Sequence, residues 1–326
     1  MKLFLKNLFM IGVLVLLCLV AGEVFIRVFL KTRTVYDVEM ARYSLELKKD
    51  SPDPRIGHVH RPDKSLQLMG VQVRTNSEGL RDREHTVARG PERRIALLGD
   101  SLTLGWGVEE GDSFKSLLEE KLNRITPTEI LNFGAGNYNT EQEVHLFLER
   151  GLKYRPDKVV VFYFINDAEI TPRKSRWWFM GYSQLATLYW SRGHLLAERL
   201  FPSRGGYQAY YASLYQKNNP GLSRAQDAFL LLQDVCRKNH IELQVVLLPE
   251  LHELVRYPFQ KEHQMIADFL RSHHIDVLDL APRFSGIVKP MDLWVARDDA
   301  HPNKEGHRLI AEHSWEFING SSQGTK

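Results

Sequence analysis

The chain is poor in cysteine, with only Cys18 and Cys236 among 326 residues. Cys18 lies in an apolar N-terminal run, so neither a disulfide framework nor a cysteine zinc site can be assembled. An excess of charge of one sign is also missing: Lys and Arg number 43 against 40 Asp and Glu, a formal +3. Residues 1–30 hold Lys2, Lys6 and Arg27 against Glu23, which is +2, leaving 3 − 2 = +1 for everything else. So neutral a body has no basic face large enough to suggest nucleic acid from charge alone, and nucleic acid is not expected as a partner. His252, His263, His273, His274 and His307 show no HExxH or cysteine-linked spacing, so they are expected to be solvated or structural and no metal is expected. No internal repeat and no low-complexity tract occurs. A composition 43% hydrophobic and 25% charged is that of a folded chain, which excludes disorder and collagen.

Long apolar runs are scarce too, apart from one. Residues 8–22 read LFMIGVLVLLCLVAG without a charge, and the apolar pattern continues as VFIRVFL to Leu30. Lys2 and Lys6 precede the run; Lys31 and Arg33 follow it. Glu23 and Arg27 are four apart and can pair on a helix. A helix from Leu5 to Leu30 would cross a hydrocarbon core of roughly 30 Å, so the chain is expected to hold to the membrane through this segment as an uncleaved signal anchor. Cleavage after Val20-Ala21-Gly22 is the rival reading, and a buried soluble helix the third. The short N-terminal tail favours a cytoplasmic start with the body exported to the periplasmic or extracellular side. Lys31 and Arg33 weaken that orientation.

Residues 1–33 thus form an anchor, and residues 34–92 read as a polar stalk and N-terminal extension. They contain Pro52, Pro54, Pro62 and Pro91, with β-like runs near Leu66–Leu68 and Val71–Arg74. From residue 93 to about 320, short apolar runs alternate with helical spacing. Strands are expected at Ile95–Leu98, Ile130–Phe133, Lys158–Ile165, Leu243–Leu248 and Ile275–Leu280. Helices are expected at Phe114–Ile125, Glu141–Lys153, 223–239, 259–271 and Asn303–Ile318. This alternation implies a flavodoxin-like three-layer α/β/α fold with a central parallel sheet. Residues 170–220 interrupt it with many aromatics, among them Trp177, Trp178, Phe179, Tyr189 and Trp190. They are expected to form a helical insertion with a small core of its own. An aromatic lid, a glycan-contacting wall or a surface resting on the membrane are the functional readings.

Ligands of an open parallel sheet bind outside the carboxyl ends of its strands. There the sequence places Gly99-Asp100-Ser101-Leu102, then Asn132-Phe133-Gly134-Ala135-Gly136-Asn137-Tyr138, then Asn166-Asp167, and finally Asp298-Asp299-Ala300-His301 before the last helix. A hydroxyl, backbone amides of a Gly-rich turn, a side-chain amide and an Asp/His pair are the parts of acyl transfer. No G-x-S-x-G elbow is present, which argues against an ordinary α/β-hydrolase. The Gly-x-Gly piece that follows Ser101 is too little for a dinucleotide site, and no cofactor is expected.

In these four blocks, over about residues 94–318, the sequence resembles the SGNH hydrolases, also called the GDSL esterase/lipase superfamily. The segment Asn132–Glu143 (NFGAGNYNTEQE) is similar to membrane-anchored bacterial members. The resemblance implies Ser101 as nucleophile, His301 as general base and Asp298 as its orienting carboxylate. Three-residue spacing lets Asp298 and His301 face each other across a single turn, whereas two-residue spacing points the rival Asp299 elsewhere on a helical turn. The oxyanion hole should combine the Ser101 amide, an amide from Gly136 or Asn137, and the Asn166 side chain. Two departures stand out: Asn137 occupies a position where the family usually has Gly, and Phe164 does so two residues before Asn166. Asp100 is read as orienting the loop or capping a helix, Arg81 as binding an acid group or pairing on the surface, and Thr103, Gly105 and Gly107 as packing a tight turn.

The expected activity is ester hydrolysis through an acyl-enzyme. The expected substrate is a small acyl ester or an acylated glycan, such as an O-acetylated cell-envelope polysaccharide. An O-acyltransferase using the same triad is the nearest alternative, and an inactive glycan-binding or assembly protein the more distant one.

Overall fold

The computed structural model describes residues 1–29, 34–171, 182–200 and 206–320. Trp177, Trp178, Phe179, Lys31 and Arg33 lie outside the described residues. In chain order the elements are α1 (Lys2–Phe29), α2 (Tyr36–Arg42), β1 (Lys48–Asp50), β2 (His58–His60), β3 (Ser65–Leu68), β4 (Val71–Arg74), β5 (Arg93–Gly99) and α3 (Ser101–Leu104). Next come α4 (Phe114–Asn123), β6 (Thr128–Asn132), α5 (Thr140–Leu146), β7 (Lys158–Tyr163), α6 (Gln184–Leu200) and α7 (Gly206–Leu214). The chain closes with α8 (Pro220–Lys238), β8 (Glu242–Leu247), α9 (Gln260–Ser272), β9 (Asp276–Asp279), α10 (Ala281–Phe284), β10 (Trp294–Ala296), β11 (Asp299–Pro302) and α11 (Lys304–Asn319).

The chain divides into two compact units. The larger comprises the described residues within 47–173 and 204–326. Its centre is a five-stranded sheet in the order β6-β5-β7-β8-β9, with every pairing parallel. In sheet-strand numbering this is 2-1-3-4-5, the flavodoxin-like order. The strands are buried on both faces because alternate side chains feed two cores. Val159, Val161 and Tyr163 of β7 join α5, α8 and α9 through Val144, Phe229 and Ile266. Val160 and Phe162 point the other way, to Phe114 and Leu118 of α4 and Ile310 of α11. Full burial of each such side chain contributes on the order of 1.5–3 kcal/mol, so a one-residue register slip in β7 would empty both cores at once.

The helix after β6 is shorter than its apolar spacing suggests. It runs as α-helix only to Leu146, loosens into a π-turn over Phe147–Gly151 and ends in a 3₁₀ turn over Leu152–Tyr154. Residues 47–92 belong to this same unit, and buried charges hold them there. Asp82 accepts from Lys115 Nζ at 2.7 Å and from the Asn132 amide at 2.9 Å. The β3–β4 hairpin leads into this region.

The second unit comprises the described residues within 1–46 and 174–203. Its α1 is a 28-residue helix with mean hydropathy 2.7 in its most apolar window, none of it buried. It is long and apolar enough to cross a membrane. The aromatic insertion is therefore split between units. Its first described helix, α6, lies with α1 and α2, whereas α7 lies on the sheet unit. There Tyr207 and Tyr211 meet Phe259 edge-on, and Tyr215 is buried in the core.

Candidate active site

The order 2-1-3-4-5 places a topological switch between β5 and β7, where a ligand crevice is expected at the strand ends. β5 ends at Gly99, and Asp100 caps the short α3, its Oδ1 accepting from the Leu102 amide at 2.8 Å. Ser101 is thereby fixed as the first residue of α3. Gly105 ends that helix in the left-handed region, at φ 81°, which a side chain would strain. Gly134 of the second loop packs directly under α3: a Cβ there would lie 2.3 Å from the Leu104 nitrogen. Asn132 joins these loops, donating to Thr103 O at 3.1 Å and accepting from the Gly134 amide at 2.9 Å.

Ser101 Oγ lies 2.7 Å from His301 Nε2. His301 Nδ1 lies 2.5 Å from Asp299 Oδ1, and the His301 backbone amide donates to the same oxygen at 3.1 Å. The carboxylate partner of His301 is thus Asp299, not the expected Asp298. The helical-turn assumption was at fault. Residues 297–298 form the turn of the β10–β11 hairpin and Asp299 opens β11. On a strand, residues two apart share a face, so Asp299 and His301 point together while Asp298 stays exposed on the turn.

Asp299 is 3% exposed, and its other oxygen accepts from Trp106 Nε1 at 2.9 Å. Burial by itself would raise its pKa. The hydrogen bonds and charge of His301, with the Trp106 donor, outweigh burial and hold the carboxyl below its usual range. A hydroxyl, an imidazole and an ionised carboxylate in series can activate the hydroxyl oxygen and stabilise the imidazolium that results.

The other expected residues are distributed around this chain. Gly136 is buried and its carbonyl accepts from His58 Nε2 at 3.1 Å. Burial and the charge of Lys48 pull His58 down to about 3, so it is a neutral donor. Asn137 is exposed with φ 64°, and its Oδ1 accepts from Lys48 Nζ at 2.8 Å. Asn is among the few residues that tolerate that backbone conformation, which accounts for its standing in place of Gly. Burial raises the pKa of Asp100, and the nearby Asn166 side chain offsets part of that rise. Behind the loop lie Glu143 and Asp167, both fully buried. Burial and then neighbouring carboxyls raise both well above the carboxylate range.

Arg81 fits neither expectation for it. It is 2% exposed and donates to the carbonyls of Leu104, Gly105 and Val108, at the end of α3 and in the turn after it. A long charged side chain in a Pro- and Gly-punctuated stretch reads as surface, and only the tertiary packing shows it as a clamp. Trp106, His58 and Lys48 were likewise missed. The position of Trp106 five residues after Ser101 was the one available signal. His307 is a core residue, its Nδ1 accepting from the Phe114 amide at 3.1 Å, and His263 bridges Asp279 and Tyr257.

Residues 97–309 match the GDSL-like Lipase/Acylhydrolase family. The chain belongs to that family and is an ester-hydrolysing enzyme. Among solved structures it is similar to a putative lipolytic protein of the G-D-S-L family from Desulfitobacterium hafniense DCB-2, at 17% identity and TM-score 0.45, over 69% of this chain and 99% of that one. It is also similar to the lipase/acylhydrolase from Enterococcus faecalis, at 14% identity and TM-score 0.46, over 72% and 99%. A third is the psychrotrophic esterase EstA from Pseudoalteromonas sp., at 13% identity and TM-score 0.43, over 70% and 97%. No curated protein matches the chain.

Proposed function

We propose that the protein is a membrane-anchored serine esterase, with Ser101 as nucleophile, His301 as general base and then acid, and Asp299 as the carboxylate that orients His301. The observation that carries this reading is the unbroken chain from Ser101 Oγ through His301 to Asp299, at 2.7 and 2.5 Å. Ser101 Oγ attacks the ester carbonyl carbon as Nε2 takes the hydroxyl proton. The charge that develops on the carbonyl oxygen is met by the Ser101 amide, an amide of Gly136 or Asn137, and the Asn166 side chain. His301 returns the proton to the departing alkoxide, which leaves as an alcohol. It then deprotonates a water that attacks the acyl carbon, and as the bond to Ser101 Oγ breaks it returns that proton to Oγ, so the acid departs and the free serine is restored.

The domain organisation we propose is the anchor of residues 1–33, the extension of 34–92 and the catalytic domain of 93–320 with its insertion. Lys2 and Lys6 before the apolar run support a cytoplasmic start and a body on the periplasmic or extracellular side. That location supports an acylated envelope glycan, such as an O-acetylated polysaccharide, as substrate.

The test is labelling of the full chain in detergent with a fluorophosphonate, beside turnover of p-nitrophenyl acetate. The parent should label, and Ser101→Ala should neither label nor retain more than ~10⁻³ of the activity. Labelling that persists in Ser101→Ala would overturn the assignment. Asn166→Ala should lower kcat by ~10²–10³ with little change in KM. Mass spectrometry of the mature N-terminus tests the anchor, since a chain beginning at Glu23 would be a cleaved signal peptide.

A further inference from the structure

Within the smaller unit, the Glu23–Arg27 ion pair of the apolar helix also holds a second helix. Glu23 accepts from Ser183 Oγ at 2.8 Å, from the Gln184 amide at 3.1 Å and from the Leu185 amide at 3.0 Å. Those amides are the first of α6 and would otherwise lack acceptors. Ser183 in turn accepts from the Ala186 amide at 3.0 Å. Arg27 bonds Glu23 at 2.6 Å and donates to Tyr182 O at 2.8 Å. One residue before Glu23, Gly22 lets the helices approach: a Cβ there would lie 3.2 Å from the Leu185 side chain.

The faces of α6 are arranged against the usual rule for a helix in water. Thr187 and Ser191, one turn apart, are 5% and 8% exposed. Their hydroxyls turn back to the carbonyls of Ser183 and Leu188 at 3.0 and 3.1 Å. On the opposite face Tyr189 is 72% and Leu196 56% exposed, and Trp190, on the flank between the two faces, is 48% exposed. Tyr189 and Leu196 are seven residues apart and so fall within about 20° of each other on the helix. Small polar residues inside and aromatic and aliphatic residues outside is the pattern of a helix that packs in lipid. Arg192 lies between them, exposed, so α6 suits the headgroup layer and not the hydrocarbon core.

Depth agrees. From Lys6 to Glu23 the axis rises about 25 Å, close to the roughly 30 Å hydrocarbon thickness, so a spanning α1 brings Glu23 to the far boundary. The N-terminus of α6 is tied to that residue. Tyr and Trp are enriched at this level because their rings are apolar and their tips polar.

We infer that α6 is an interfacial membrane helix, which lays Tyr189, Trp190 and Leu196 into the lipid headgroup region beside the exit of α1. This rests on the anchor reading of α1. The helix would give the tether a second contact with the bilayer, and Glu23 joins the two.

The test places spin labels in the full chain, in a Cys18→Ser, Cys236→Ser background, reconstituted into phosphatidylethanolamine–phosphatidylglycerol vesicles. Single sites are Leu14→Cys in the span, Tyr189→Cys and Leu196→Cys on α6, and Leu231→Cys on α8 as a water reference. Collision with oxygen, relative to a water-soluble nickel chelate, should be highest at 14. At 189 and 196 it should exceed the value at 231 by about threefold or more, as for an apolar helix face in the headgroup layer. A lipid signature at 14 with 189 and 196 equal to 231 overturns the inference and leaves the anchor standing. Labels at 189 and 196 shielded from both reagents indicate a protein partner and also overturn it. A water signature at 14 overturns the anchor and the inference together.

Discussion

Asp299 and His301 stand two residues apart on β11 with their side chains on one face, Oδ1 2.5 Å from Nδ1. The pairing is set by strand geometry and closed by a third residue, since Trp106 donates to the second oxygen of Asp299. Asp298, one step earlier on the hairpin turn, is exposed.

The first prediction separates the two carboxylates. Asp299→Asn should lower kcat/KM for p-nitrophenyl acetate by ~10³–10⁴, because the amide cannot hold the imidazole in the required tautomer or stabilise its charge. Asp298→Asn should stay within about threefold of the parent, as an exposed residue outside the hydrogen-bonded chain. The reverse order of severity would refute the Asp299 assignment.

Trp106→Phe removes the donor on Asp299 and keeps most of the ring volume. A hydrogen bond to a charged group is worth about 1.5–3 kcal/mol, so kcat should fall by at least ~10-fold. KM should change little, because the contact acts on Asp299 and not on substrate. A kcat equal to the parent's would mean that the bond does not support the triad.

Arg81→Met should destabilise the chain by about 3 kcal/mol or more, because it strips donors from three carbonyls around the α3 terminus. Arg81→Lys should recover little, since an ammonium cannot reproduce the planar fork. Chemical denaturation in detergent measures both, and a full rescue by lysine would show that charge alone matters there.

Glu143 gives a pH dependence with a defined sign. Burial raises its folded-state pKa, and Asp100 adds to the shift. A raised carboxyl contributes stability that is complete below the unfolded pKa and is lost as pH rises through the folded one. Glu143→Gln stays neutral throughout. Its melting temperature should match the parent's near pH 4–5 and exceed it progressively toward about pH 9. A variant less stable than the parent at alkaline pH would contradict a protonated Glu143.

Local pattern by itself determined the layered fold and the rim of the site. Runs such as Val159–Phe162, apolar at every position, suit only a strand covered on both faces, and the helical spacing at Phe114, Leu118 and Leu122 specifies the covering layer. Ser101 and His301, which meet at 2.7 Å, could be looked for on one rim because strand ends are where such chemistry collects. Tertiary structure decided the rest, since it turned on what each side chain meets across space. Whether Asp298 or Asp299 faces His301 depends on a hairpin whose two short strands, Trp294–Ala296 and Asp299–Pro302, carry little pattern of their own. Arg81 looks like a surface charge until the end of α3 and the turn after it bring the carbonyls of Leu104, Gly105 and Val108 to its guanidinium. Glu23 looks like an interruption of an apolar helix until the N-terminus of α6, some 160 residues later in the chain, supplies its partners. Burial and hydrogen bonding between distant segments are many-body properties, and no window along the chain contains them.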